Sequence, residues 1–281
     1  LAAVGSTGAM AFLVNGFVIG LTSGFAVLVS QKFGANDEEG VKKAYASSLV
    51  LSAIMTIIVT IISVASAKPL LELMNTPADI MDDSLAYIIV IYAGNIAIIF
   101  YNMFASILRA LGDSKTPLYF LIIASILNII LDIVFIVNFS MGVAGAAYAT
   151  IISQGVSFIF FLSHFMSKKS KLTLTKFEFK VKYLKRILSI GFPDAITELT
   201  SGIVILLFNQ TILIYIGESG IVTYSIICYV GTLVIMTMIA ITQGMQPLCS
   251  YYYGKEEFKT IKKLIKMGLK AVSISSIAIF I

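Results

Sequence analysis

LYFLIIASILNIILDIVFIVNFSMGVAGAAYATIISQGVSFIFFLSHFM, residues 118–166, contains one formal charge, Asp132, in 49 residues. A helix needs about 20 apolar residues to cross ~30 Å of hydrocarbon. This stretch is therefore long enough for two, and Ser140-Met141-Gly142 supplies the turn between them. The reading is an antiparallel pair of membrane helices, near 118–139 and 143–166. Working outward, charge-free segments mark further spans at 1–29, 44–67 and 84–108 on one side; on the other lie 191–216, apolar but for Asp194 and Glu198, and the charge-free 221–249. A last span begins near Leu264 and runs off the end of the chain, so eight are expected and the last is incomplete. The chain opens and closes in apolar sequence, which reads as a fragment of a longer protein.

Composition agrees. Of 281 residues, 58% are hydrophobic and 12% are charged, against about 25% charged in a soluble domain. The fold class is an all-α polytopic membrane protein. Its net charge of +5 is confined to one side. Loops 30–43, 109–117, 167–186 and 250–270 hold every Lys and Arg except Lys68, so the positive-inside rule makes those loops cytoplasmic. The basic clusters then face anionic lipid as anchors, and nucleic acid is not an expected partner. Cys228 and Cys249 both lie in apolar stretches, and there is one histidine, so neither a zinc site nor a disulfide framework is expected.

The chain also repeats. Shifted by 220 residues, Thr22, Gly24, Leu28, Ser30, Gly34, Lys42 and Lys43 fall on Thr242, Gly244, Leu248, Ser250, Gly254, Lys262 and Lys263. Six spans separate the copies, so both run the same way through the bilayer. Parallel repeats about an axis along the membrane normal occur among secondary transporters. The division follows: an N-terminal lobe at 1–166 with one helix missing before it, a basic cytoplasmic linker at 167–186, and the start of a C-terminal lobe at 187–281.

An ionisable residue at mid-span costs roughly 2.5–3.5 kcal/mol on insertion scales and is a functional candidate. Asn128 lies one turn before Asp132. Folding the hairpin at Met141 brings Asp132 level with Thr150, and Asn128 level with Gln154. A carboxylate, a carboxamide oxygen and a hydroxyl converging near the Asp132–Thr150 layer, with Gln154 one turn away, suit a sodium ion or a proton. Asp194 and Glu198 form a second acidic pair. Asp194 is expected at the water interface, in the first turn of a helix whose N-terminus stabilises it, with Glu198 one turn deeper and able to meet a cationic substrate. Asn209 and Gln210 either line a cavity or bond a neighbouring helix. Gly-x-Ser-x-Gly, His-Glu-x-x-His and a phosphate-binding loop do not occur, so no enzyme activity, bound cofactor or ATP site is expected.

Several short motifs carry a resemblance: Leu1-Ala2-Ala3-Val4-Gly5, Val29-Ser30-Gln31 through Gly34-Ala35-Asn36-Asp37, and Leu108 through Pro117 in the run LRALGDSKTP. Asn128 to Asp132, Gly142 to Ala147, Ala149-Thr150 and Gln243-Gly244-Met245-Gln246-Pro247 complete the set. In their order and spacing the chain resembles the multidrug and toxic compound extrusion (MATE) family, within the superfamily that includes lipid-linked oligosaccharide flippases. The resemblance implies twelve helices in two six-helix lobes, of which helices two to eight and part of nine are present here. It implies efflux of amphipathic, often cationic drugs in exchange for sodium or protons, by a monomer in the bacterial cytoplasmic membrane. The family's N-lobe cation site maps onto Asn128, Asp132 and Thr150, and its partner carboxylate on helix one precedes this sequence. The alternatives are a lipid-linked precursor flippase of the same superfamily, or a membrane scaffold or receptor that transports nothing.

Overall fold

A computed structural model describes residues 2–74, 76–167 and 180–280, and every regular element among them is helical. In chain order these are α1 (Ala2–Gly34), α2 (Glu38–Leu73), α3 (Ala78–Ala93), α4 (Asn95–Ala110), α5 (Lys115–Ile133), α6 (Gly142–Met166), α7 (Val181–Tyr215), α8 (Glu218–Gly254) and α9 (Phe258–Phe280). One π-helical turn, Val134–Asn138, extends α5. Among the described residues five helices are long and apolar enough to span a bilayer, and the bent pair α3/α4 makes a sixth. Helices α8 and α9 occupy the two remaining expected spans.

The outer surface is what a bilayer requires. Ile57, Ile61 and Ile62 on α2 and Ile126, Ile129 and Ile133 on α5 are all exposed, and no aqueous surface would tolerate such a belt. The inner faces are lined by small residues. On α6, Gly145, Ala149, Ser153 and Ser157 recur every four residues and are buried, which lets backbones approach in the manner of membrane bundles. The same stripe ends in Phe161 and Phe165. These stack with Phe104 at ring separations of 6.0 and 4.9 Å and fill the larger buried core.

The expected span at 84–108 is not one straight helix. It breaks at Gly94, where α3 and α4 meet at 44°. A Cβ at Gly94 would lie 2.7 Å from the Ile151 side chain, so α6 occupies the space that the missing side chain leaves. A second difference lies at α7, which begins at Val181 and carries Pro193 in its interior. The last six residues of the stretch read as a linker are therefore helical, and 168–179 lies outside the described residues.

The repeat is visible in the backbone. At the turn after α1, the Asp37 N–H donates to the Lys32 carbonyl at 3.0 Å; 220 residues later, after α8, the Glu257 N–H donates to the Tyr252 carbonyl at 3.0 Å. Asn36 and Glu256 hold the same left-handed conformation, with φ of 54° and 61°. The two turns also touch each other reciprocally. A Cβ on Gly34 would run into the Tyr251 carbonyl, and a Cβ on Gly254 would run into the Gln31 carbonyl. Residues 31 and 251 are themselves repeat partners, so the contact has the self-complementary pattern of a two-fold axis. Ser30 secures it. Fully buried, its hydroxyl lies 2.9 Å from the Pro247 carbonyl on α8 and 3.1 Å from the Ala110 carbonyl on α4.

Two outcomes test this packing. Gly254→Leu should destabilise the protein by about 1–3 kcal/mol through overpacking, read as a lower Tm in detergent. Gly155→Ala, where nothing lies within 4 Å, should be neutral or slightly stabilising. At the turn itself, the Lys32 ammonium and the Gly40 N–H hold the Asp37 carboxyl below its ordinary value. The stabilisation is therefore present above the usual carboxylate range and lost as pH falls through the lowered value. The Asp37 side chain is 38% exposed, so screening limits the effect to about 1 kcal/mol or less. Asp37→Asn should flatten that part of a stability profile recorded between pH 6 and pH 3.

Candidate functional site

Two polar regions lie inside this apolar bundle. The first is in the N-terminal lobe. Helices α5 and α6 pack against each other, joined by a tight turn in which the Met141 N–H reaches the Phe135 carbonyl at 3.0 Å. At their outer ends Gly145 leaves only 3.1 Å between its Cβ position and the Cβ of Phe135. On the facing surfaces, Asn128 Nδ2, Asp132 Oδ1 and Gln154 Oε1 are all buried without a hydrogen-bond partner. Thr150 donates to the Ala146 carbonyl of its own helix at 3.0 Å, which leaves its oxygen lone pairs free to accept. Rotating a carboxamide by half a turn exchanges its oxygen and nitrogen without changing its shape. Each of these four side chains can therefore present an oxygen.

Unsatisfied buried polar atoms are rare and call for an explanation. Three of them lie on two packed helices within one turn of the Asp132 level. Among the described residues no group of three His, Cys, Asp or Glu side chains comes together. A cation held here would meet one carboxylate and neutral oxygens, which is the chemistry of a weakly bound monovalent ion or of a proton on Asp132. Tyr87 on α3 also comes within electrostatic reach of Asp132. Sequence reasoning missed it, because an uncharged tyrosine early in a span carries no signal until the neighbouring helix is known.

The second region is a cleft of about 420 Å³ where α1 and α4 meet α7 and α8. Such a volume suits a small organic molecule. Its walls come from α1 (Ser23, Ala26), α4 (Asn102, Ser106, Arg109), α7 (Asp194, Thr197, Glu198) and α8 (Gln243, Gln246). The placement of Asp194 corrects the expectation for it. Because α7 starts at Val181, Asp194 is a mid-helix residue rather than a first-turn one. Its carboxylate faces the cleft and accepts a hydrogen bond from the Ser23 hydroxyl at 2.6 Å. Glu198, one turn on, packs over Gly16 of α1 and lines the same cleft. Gln210 is elsewhere: its Nε2 donates to the Leu73 carbonyl at the end of α2 at 3.4 Å, so of the two roles considered it takes the helix-bonding one. The Asn209 side chain lies outside the described residues.

Arg109, counted from the sequence with the basic residues at the span ends, sits in the last turn of α4 and also forms part of the cleft wall, a role sequence reasoning did not assign to it.

A helical membrane bundle with a 220-residue repeat and a polar cleft between its lobes is the architecture of the secondary-transporter class. The comparisons agree. Residues 1–134 match the MatE family. Over 281 residues the chain is 27% identical to the probable multidrug resistance protein YoeA of Bacillus subtilis, covering 96% of this chain and 60% of that protein. It superposes with a TM-score of 0.91 on a MOP superfamily transporter from Pyrococcus furiosus described as having a binding pocket of reverse polarity, at 27% identity, covering 99% of this chain and 62% of that one. It superposes with a TM-score of 0.88 on an outward-facing multidrug resistance MATE transporter, also at 27% identity, covering 99% of this chain and 62% of that one. Over almost its whole length the chain is thus similar to MATE transporters, with the family match itself on residues 1–134. It spans about 60% of the length of these relatives.

The unpaired atoms carry a stability prediction. Asp132→Leu removes a buried acceptor that has no donor, and such a group costs about 1–3 kcal/mol. In sodium-free buffer near neutral pH the variant should melt higher than the parent. Adding sodium should raise the parent's Tm and leave the variant's unchanged, as thermal unfolding in detergent would record.

Proposed function

We propose that this chain is the larger part of a cation-coupled antiporter, exporting amphipathic and often cationic compounds by alternating access. The observation that carries the reading is the set of unpartnered atoms on Asn128, Asp132 and Gln154, in the same lobe that supplies one wall of the cleft. Sodium or a proton held at Asn128, Asp132, Thr150 and Gln154 is the coupling species, and Asp132 is the group whose charge it neutralises. The cleft receives the exported compound, with Glu198 and Asp194 as counter-charges for a cation. Drug and ion drive each other only if each binds the two orientations of the lobes with different affinity. The related multidrug resistance proteins and MATE structures support this reading.

In the proposed arrangement residues 1–166 form the N-terminal lobe and 187–281 the start of the C-terminal lobe, working as a monomer in a bacterial cytoplasmic membrane without cofactor or catalytic chemistry. A flippase of lipid-linked precursors would call for a basic cavity facing an anionic headgroup. This cleft places Asp194 and Glu198 opposite a single arginine, which favours small-molecule exchange.

The test uses the full-length protein in proteoliposomes, following a fluorescent cationic dye under imposed sodium or proton gradients. Gradient-driven movement is expected, with Asp132→Asn lowering coupled transport at least ~100-fold while insertion is unchanged. Efflux by Asp132→Asn at the parent rate would remove Asp132 from the mechanism. Absence of dye movement under either gradient, from folded protein, would overturn the antiporter reading.

A further inference from the structure

The first turns of α9 carry Lys259, Lys262, Lys263, Lys266 and Lys270, and the helix contains no acidic residue. Residues three and four apart on a helix are neighbours. Lys259, Lys263, Lys266 and Lys270 therefore form one ladder, with Lys262 beside it. The opposite side of α9 rests on α8. A Cβ at Gly268 would run into the Met245 side chain, and the Ser276 hydroxyl lies 3.9 Å from Met238 Sδ. Lys266 and Lys270, each two residues from Gly268, are turned about 160° away from that contact. All five lysines are exposed, and none makes an ion pair among the described residues. Further along the same face Ile274 and Ile277 are exposed as well.

The other copy of the repeat manages without this ladder. Shifted back by 220 residues, the five positions hold Glu39, Lys42, Lys43, Ala46 and Val50 of α2, so only the Lys-Lys pair is common to both. On α2, Glu39 pairs with Lys43 and Ala46 is buried. The start of α7 lies alongside, with the Lys180 N–H donating to the Ser47 hydroxyl at 3.4 Å. That face meets protein and balances its charge; the α9 face does neither. A row of ammonium groups is costly against hydrocarbon or an apolar helix, so what covers the ladder must bring negative charge.

A basic band that gives way to an apolar one along a single helix face matches a lipid from phosphate to acyl chain. We propose that this face of α9 is a docking surface for anionic phospholipid, with phosphates at the lysines and acyl chains along Ile274 and Ile277. From Lys259 to Lys270 the ladder runs about 16 Å, longer than a headgroup layer of roughly 5–8 Å. The flexible stems of the end lysines bring their ammonium groups back to phosphate level, so a lipid is held at several points. No step of transport enters this inference, and it stands or falls apart from the exporter reading.

The test titrates the full-length protein in maltoside detergent with phosphatidylglycerol or phosphatidylcholine of matched acyl chains. Native mass spectrometry counts the lipids retained. The parent should hold phosphatidylglycerol about tenfold more tightly or better. One lysine at an anionic surface is worth about fivefold, so Lys266→Gln should lower phosphatidylglycerol affinity by that factor. Replacing Lys263, Lys266 and Lys270 together by Gln should erase the preference. Lys266→Arg, which keeps the charge, should retain it, and Lys42→Gln on α2 should leave it unchanged. Because the lysines are exposed, each variant should match the parent's Tm in phosphatidylcholine alone, which checks the fold. Equal retention of both lipids by the parent would overturn the inference and leave the ladder to an acidic stretch of protein. A preference that survives the triple substitution would overturn it too. So would a loss in Lys42→Gln as large as in Lys266→Gln, which marks a diffuse charge effect without a site on α9.

Discussion

The structure depends on how closely α1 lies against the helices of the opposite lobe. Gly20 and Gly24 let the α7 backbone at Ala195 and Ile187 come within reach of α1, and Gly191 on α7 does the same for α1 at Leu21. At the C-terminal end of α1, Gly34 and Gly254 do the same for each other's helix across the pseudo-two-fold axis. Inside a bilayer no hydrophobic force draws helices together, so association rests on close packing and on the few hydrogen bonds that packing permits. The Ser30 hydroxyl within reach of two carbonyls and Ser23 bonded to Asp194 are those bonds. They form only because the glycines remove what would otherwise hold the backbones apart. The cleft is the space left where this seam opens, and its charged walls follow from which helices the seam brings together.

Against that close packing stands a layer that is poorly satisfied. Asn128, Asp132 and Gln154 bury polar atoms with no partner, and Tyr45, Ser52, Thr76, Asn95 and Ser153 add five more among the described residues. A lobe optimised for stability alone would carry apolar residues at these positions. Retained in an otherwise tight bundle, they are the kind of local loss of stability that function requires. The energetic argument and the chemical one reach the same side chains by separate routes.

Much of this was legible in advance, for identifiable reasons. Spans are legible because charge is nearly excluded from hydrocarbon. The repeat is legible because glycine, serine and paired lysines at fixed offsets are hard to produce by chance among apolar residues. Asp132 stands out as the one charge in a 49-residue run, and hairpin arithmetic then finds Thr150 and Gln154. What escaped is what depends on direction rather than on depth. Arg109 and a surface lysine look alike at the end of a span, since both satisfy the charge asymmetry, and only the helix's rotation turns one toward the cleft. Asp194 beside Pro193 resembles a helix start, because proline favours the first turn. Here the helix had begun at Val181, and the proline is carried in its interior. Gly94 gave no warning because glycine is frequent in membrane helices and most copies do not bend them.

The bend at Gly94 also connects the two polar regions. Above it, α3 carries Tyr87 to the neighbourhood of Asp132; below it, α4 carries Asn102, Ser106 and Arg109 to the cleft wall. The break itself is seated on Ile151, the residue that follows Thr150 on α6. A change in charge or occupancy beside Asp132 therefore acts on helices that bear directly on the joint between α3 and α4. Packed cores respond to such a change by moving between discrete arrangements rather than by deforming smoothly. A broken helix has one position where such rearrangement is least resisted, since Gly94 lacks a side chain and its carbonyl is already shared between the Ala97 and Ile98 N–H groups at 3.0 and 3.4 Å. The break at Gly94 thus joins α3, which carries Tyr87, to α4, which carries Asn102, Ser106 and Arg109, and the glycine seam on α1 holds the opposite wall of the cleft.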